Sequence, residues 1–204
     1  MRIKKHKKYS KEDLIERMRK ITLLHSTGSK NSVYVYKNAN IEVDYIAVSK
    51  IVPSQFYYLE KVLSKIGEVE KALRNLKIDL FDLEGHISYQ TNESDYRFSL
   101  LPVIVEYQRE EDGTISPMIL DGLHRVLLAR KKNLKKIKAV KISNVDLEHP
   151  VFGHPNPGGW EDVKSVKTVP DKKNKRLWRF PVDEAYKYYR DFNSAFGNVG
   201  KPRK

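Results

Sequence analysis

Cysteine is absent from the 204 residues, and disulfides, thiolate nucleophiles and Cys-based zinc or iron–sulfur sites are excluded with it. No apolar run approaches the ~20 residues that a membrane-spanning helix needs. The opening, MRIKKHKKYSKEDL, lacks the apolar segment of a signal peptide. The expectation is a soluble, unexported, cytoplasmic protein with no membrane partner. Internal repeats and low-complexity blocks are missing. No clustered carboxylates stand ready to hold two metal ions, which disfavours nuclease chemistry.

The chain does have a core and a strong charge. The hydrophobic share of 40% suffices for one large domain, or one small domain with extensions, while the 32% charged share implies a wet surface. The formal net charge of +13 attracts phosphate, whether in nucleotides or in nucleic acid. Lysine and arginine gather at residues 2–8, 130–141 and 164–179 and at the extreme C-terminus. The first and last clusters read as flexible arms. A solvated face that aids solubility explains each cluster as well as a ligand does.

Along the chain, Ser10 stands at a helix N-cap position, and Leu14, Ile15, Met18 and Ile21 follow at helical spacing, predicting a helix over 11–24. SVYVYKN and NIEVDYIAV read as two strands. Phe56, Leu59, Val62, Leu63 and Ile66 predict a helix over 54–66, with a second over 68–76. Residues 79–97, rich in polar groups, receive no assignment. LLPVIVEYQ is a buried strand, EEDGT a turn and SPMIL its returning partner. A helix over 124–132 and a strand over 137–142 complete the order. That order predicts an α+β domain built on a single mixed sheet, with an N-terminal helix and a loop-plus-helix C-terminal extension. The divisions fall at 1–30, a basic arm and helix; 31–145, the core; and 146–204, the extension.

The stretch ILDGLHRV, residues 119–126, concentrates the chemistry. Gly122 permits a sharp bend with its N–H uncovered, and the helix that begins there directs unpaired N–H groups and partial positive charge to one point. An anion is favoured at such a point. His124 exchanges a proton near neutral pH, and Arg125 forks onto two phosphate oxygens. Asp121 is a metal ligand, a proton acceptor or a helix cap. Asp-Gly is also a common turn, with Asp121 as its cap and Arg125 as surface charge, and the residues alone leave both readings open.

Residues 119–140, with LLPVIVEY and IAVSKIVPSQ before them, resemble the signature of the ParB/sulfiredoxin superfamily over roughly residues 41–145. The resemblance implies a nucleotide or phosphate site at Gly122, Leu123, His124 and Arg125. Partitioning ParB proteins bind CTP there, sulfiredoxin binds ATP, and free serine kinases bind ADP or ATP. Sulfiredoxin's catalytic cysteine falls at Leu123, which excludes that activity. The partitioning branch carries Gly-Glu-Arg-Arg and a following helix-turn-helix domain, whereas residues 146–181 show no paired-helix pattern. The turn is most similar to the Asp-Gly-His-His-Arg of the free serine kinases, with Leu123 in place of the first histidine. Their glutamate near the first strand-to-helix junction has no counterpart at Pro53-Ser54-Gln55, so the proton falls to Asp121 or Glu60.

The resemblance thus implies an ATP- or ADP-dependent kinase acting on a small metabolite, with CTP as a further nucleotide and Mg²⁺ held at Asp121. Asp121, His124 and Glu60 are its candidate catalytic residues, and Gln55 and Trp160 its candidate substrate contacts. The alternative is a ParB-like DNA-binding protein without catalysis, using the basic arms and the helix over 124–132. Phe152 to Trp160 suits a loop folding over a pocket, or an inert surface loop. Glu148, His149 and His154 lack a recognised metal spacing. Tyr186, Tyr189, Phe192, Asn193 and Phe196 predict a final helix over 182–196, docked on the core by its aromatics.

Overall fold

The structure is a computed structural model, and it describes residues 1–199. The basic cluster at the extreme C-terminus lies outside the described residues. Four strands form the central sheet: β3 (Asn40–Ala47), β7 (Val103–Arg109), β8 (Ile115–Asp121) and β9 (Lys136–Ser143), in the order β3-β9-β7-β8. β7 and β9 are parallel and the outer pairs antiparallel, which gives the mixed sheet that the order of elements predicts. Val52 extends it beyond β8, donating its N–H to Pro117 O and accepting from Ile119 N.

Strand periodicity divides the core in two. Ile46, Val103, Val105, Ile119, Ile137 and Ala139 face one layer. That layer contains α2 (Glu60–Arg74) and α3 (Leu123–Lys131). Ile41, Val43, Ile104, Val140 and Ile142 face the other, where α1 (Lys11–Met18) brings Leu14 and Met18 and the C-terminal segment brings Phe196. A sheet covered on both faces needs continuously apolar strands, which VIVEYQ and KIKAVKIS nearly supply.

Outside this sheet, tertiary pairing overrides several local expectations. Residues 2–8 are no flexible arm. Within them β1 (Ile3–Lys8) pairs with β5 (Ile87–Thr91), which pairs with β6 (Ser94–Leu100), so the unassigned polar stretch ends in a three-stranded antiparallel sheet. The first helix stops at Met18, and Thr22–Leu23 forms β2. SVYVYKN is no strand. It folds as turns, bridging Thr22 only through Tyr34.

The helices expected over 54–66 and 68–76 are one, α2, and it starts late. Tyr57–Leu59 is held as β4, in parallel pairing with β10 (Lys164–Val166), and the buried stripe Leu63, Val69, Leu73 then runs through Gly67 without a break.

The final helix is absent. Residues 185–188 and 192–194 form single 3₁₀ turns around β11 (Arg190–Asp191), an extended pair antiparallel to β2. Phe196 still docks on the core, as the aromatic spacing implied.

The cause is Arg190. Its guanidinium, 1% exposed, makes a bidentate pair with Glu106 of β7, Nη2 to Oε1 at 2.6 Å and Nε to Oε2 at 3.1 Å. Its remaining N–H groups reach the carbonyls of Pro150, Tyr188 and His149. Tyr36 donates its hydroxyl to Glu106 Oε2 at 2.8 Å, and burial raises the Tyr36 pKa well above the phenolic range. A helical backbone over 182–196 is incompatible with this fully satisfied cluster. Removing one member strands a buried charge, so Glu106→Leu or Arg190→Met alone is expected to cost about 3–5 kcal/mol, read from urea-unfolding midpoints. The double variant is expected to recover much of that loss.

His86 gives a second prediction. It stacks on Tyr9 with ring centroids 4.1 Å apart, meets Phe196 edge-on and is buried at 3% exposure. Burial lowers its pKa to about 4, against the opposing charge of Asp13. The unfolded chain, titrating near ~6.5, therefore takes up the proton first. Stability from this site is fully present above that pH and is lost as pH falls towards 4. His86→Phe is expected to flatten the unfolding midpoint across that window, relative to the native chain.

Candidate functional site

The turn after β8 is set by a mutual requirement of two residues. Gly122 caps α3 in the left-handed region at φ 97°. The Arg125 guanidinium folds back over it, so a Cβ at position 122 would meet Nη2 at 2.8 Å and Nε at 2.9 Å. Glycine is needed there both for its backbone angle and for the space. Arg125 is 4% exposed. It donates Nη1–H to Leu101 O and Nη2–H to Asp121 Oδ2.

This revises the two readings of the turn. Arg125 is neither a surface charge nor a free phosphate fork, because its guanidinium ties the end of β8 to the β6–β7 connection. Asp121 is not the cap, and its Oδ2 neutralises Arg125 while Oδ1 has no partner among the described residues. The first amides of α3 remain available, since Arg125 N and Val126 N turn back to Gly122 O and helix geometry leaves Leu123 N and His124 N without intrahelical acceptors.

His124 links the two helices. Its Nε2 accepts from Leu59 N–H at 3.2 Å, immediately before α2, and its ring meets Tyr58 edge-on. Accepting at Nε2 places the ring proton on Nδ1. Burial lowers its pKa, with Asp121 opposing. The ring is therefore a neutral N–H donor near neutral pH, rather than the proton exchanger that an unperturbed histidine predicts. Through this bond the N-termini of α2 and α3 converge, and their dipoles favour an anion between them.

The turn opens on a cavity of about 680 Å³. Asp121, Gly122, Leu123, His124 and Arg125 line one side, Val62, Ile66 and Val69 of α2 another, and Tyr89, Phe98 and Leu100 of the β5–β6 hairpin the third. Tyr89 and Phe98 pack with ring centroids 5.7 Å apart. Burial raises the Tyr89 pKa, opposed by the positive charges of Arg125 and Lys65. At the rim, Lys65 pairs with Glu93 of the hairpin turn and with Glu68. Lys61 also lines the cavity and forms no ion pair among the described residues.

Five of the residues nominated from sequence thus meet at one place, and three do not. Glu60 accepts from Ser165 Oγ at 2.6 Å, facing β10. Gln55 donates to Tyr57 O and, through its own carbonyl, accepts from Asn156. Trp160 donates to Ile51 O at 2.7 Å, packs against the core and lies under Arg130. None of the three lines the cavity, and the loop from Phe152 to Trp160 is docked away from it. Glu148, His149 and His154 form no metal-holding group, and no group of three or more His, Asp or Glu placed to hold a metal ion occurs among the described residues. The hairpin wall went unseen in sequence, although YRFSL alternates as a strand should. Lys61 and Lys65, four apart beside an apolar stripe, were its partner signal on α2.

Gly122→Ala and Gly113→Ala separate strain from contact. Both glycines have positive φ, but Gly113 has open space around it. Each is expected to lose about 1–3 kcal/mol from the backbone angle. Gly122→Ala is expected to lose more, because Arg125 must also move, and the difference in unfolding midpoints measures the guanidinium contact.

A solved structure of a Pnob8-like ParB-N domain is similar at 12% identity and a TM-score of 0.28, over 55% of this chain and 33% of that one. The chain thus spans about a third of the length of that protein. None of the curated proteins matches the sequence. The ParB CE domain pattern matches residues 13–164, a range that holds most of α1 and all of α2, the central sheet, the turn and α3, and so the chain belongs to the ParB CE domain family.

Proposed function

We propose that this chain is a nucleotide-dependent phosphotransferase, holding the phosphates of ATP or ADP at the converging N-termini of α2 and α3 and transferring a phosphoryl group to a small acceptor in the cavity. The observation that carries it is the placement of the turn between two unlike flanks. On one side Lys131, in no ion pair among the described residues, stands near Tyr58, its Nζ 5.9 Å from the ring centroid. On the other lies the largely apolar cavity. Polyphosphate suits the first flank and an uncharged acceptor the second. CTP fits the same phosphate site.

The residues suit a metal that arrives with the nucleotide. Mg²⁺ takes one or two protein carboxylates beside substrate phosphates, and Asp121, its Oδ1 unpaired, is the carboxylate beside the turn. When bound, the ion neutralises charge on the transferring group. The chain's own part is positioning. The Leu123 and His124 amides and the His124 Nδ1–H donate to phosphate oxygens, and Lys61 offsets their charge. The acceptor oxygen bonds to phosphorus as the bond to the bridging oxygen breaks. The nucleotide, shorter by one phosphate, leaves with that electron pair, and the acceptor's hydroxyl proton passes to Asp121 and then to solvent. Glu60 is unsuited to this role, since Ser165 holds its carboxylate outside the cavity.

Calorimetric titration with Mg²⁺ and ATP, ADP or CTP tests the reading. Saturable binding to the native chain is expected, weakened about tenfold or more in Lys61→Gln through loss of a charge-assisted contact. Asp121→Asn is expected to bind but to lose turnover by about 10²–10⁴-fold. Burial lowers the His124 pKa, so any imidazole titration in the affinity is expected below the ordinary histidine range. Binding of no nucleotide overturns the proposal. The second reading, DNA binding, then gains from the exposed Lys4, Lys5, Lys7 and Lys8 of β1, and predicts affinity that falls steeply with salt and is unchanged by Asp121→Asn.

A further inference from the structure

The cavity wall opposite the turn carries information about the acceptor. Val62, Ile66 and Val69 of α2 face Tyr89, Phe98 and Leu100 of the hairpin across a space of about 680 Å³. Its polar side chains lie at the turn and around the rim. Among the charged groups, Asp121 pairs with Arg125, Glu93 with Lys65 and the Met1 ammonium, and Lys65 also with Glu68, while Lys61 has no ion pair among the described residues. On the hairpin side the uncharged polar side chains are few: the Tyr89 hydroxyl, which has no hydrogen-bond partner among the described residues, and Thr91, Ser94 and Ser99. A sugar or amino-acid acceptor, with polar groups on every side, would lose more hydration here than these few groups replace.

We propose that the cavity takes an amphiphile: a compact apolar body held between α2 and the β5–β6 hairpin, with a hydroxyl or phosphorylated hydroxyl directed to the turn beside Lys61. This names the acceptor class of the phosphotransfer described above and rests on that reading. The anionic product end is favoured by Lys61 and the two helix N-termini, the apolar body by burial.

The test compares octyl phosphate, octanol and inorganic phosphate as calorimetric ligands of the native chain, below the micellar concentration of the first. Octyl phosphate is expected to bind at least about a hundredfold tighter than inorganic phosphate, through burial of its chain, and tighter than octanol. Val62→Asn, facing the cavity from α2, is expected to weaken octyl phosphate at least about tenfold, with Mg²⁺-ATP binding unchanged. Phe98→Asp, on the opposite wall, is the second variant should the first fail to fold. Lys61→Gln is expected to weaken octyl phosphate and not octanol.

Octyl phosphate binding no tighter than inorganic phosphate, or surviving both wall substitutions, overturns the proposal. Octanol binding as tightly as octyl phosphate also overturns it, because the head group would then be unread. Octyl phosphate binding to a chain that binds no nucleotide leaves the ligand class standing and sinks the phosphotransfer.

Discussion

Everything at the candidate site hangs on one buried guanidinium. Arg125 reaches back from the first turn of α3 to three places: the face of Gly122, the carboxylate of Asp121 at the end of β8, and the carbonyl of Leu101. Arginine alone offers a planar group that lies flat on a glycine while donating in two directions. The contact fixes where α3 begins, and therefore where its unpaired amides point. It also positions Leu101, which joins the β5–β6 hairpin to β7, so the cavity's turn side and hairpin side are set by the same side chain. A residue that looks from sequence like a ligand contact is thus a positioning residue, and in the proposed function the anion-binding work passes to amides, His124 and Lys61.

A second buried arginine does the same for the opposite layer. Arg190 makes five hydrogen bonds around Glu106 and three carbonyls, and this ties both ends of the segment, at residues 149–150 and 188–190, to β7. The tail then supplies β10 to β4 and β11 to β2. By holding Tyr57–Leu59 as a strand, β10 determines that α2 starts at Glu60 and that Leu59 N meets His124. The geometry of the turn therefore depends on a segment about forty residues downstream.

How far the sequence was legible follows from these dependencies. Elements whose burial is set by their own period were readable: β3, β7, β8, β9 and α3 stand within a few residues of their expected positions. So was the turn, because Gly122 and Arg125 lie three apart and interact locally. Elements whose form is imposed from far away were not. Residues 2–8 carry the charge of a disordered arm, yet backbone pairing with residues 87–91 holds them extended. The aromatic spacing over 182–196 correctly implied docking but not a helix, since Arg190 and Asp191 are committed to pairing. Glu60, Gln55 and Trp160 were nominated through motif position or residue type, and each is held elsewhere by a bond that no local pattern encodes.

The central claim is that phosphate binds at the converging N-termini of α2 and α3. Amide chemical shifts recorded by NMR during titration with Mg²⁺ and ATP test it most directly, because they report where a ligand sits. The account predicts saturable shifts concentrated at Gly122, Leu123, His124 and Lys61, with β1 and the loop from Phe152 to Trp160 unmoved. Shifts confined to the lysines of β1, or none at the turn under saturating nucleotide, would contradict it.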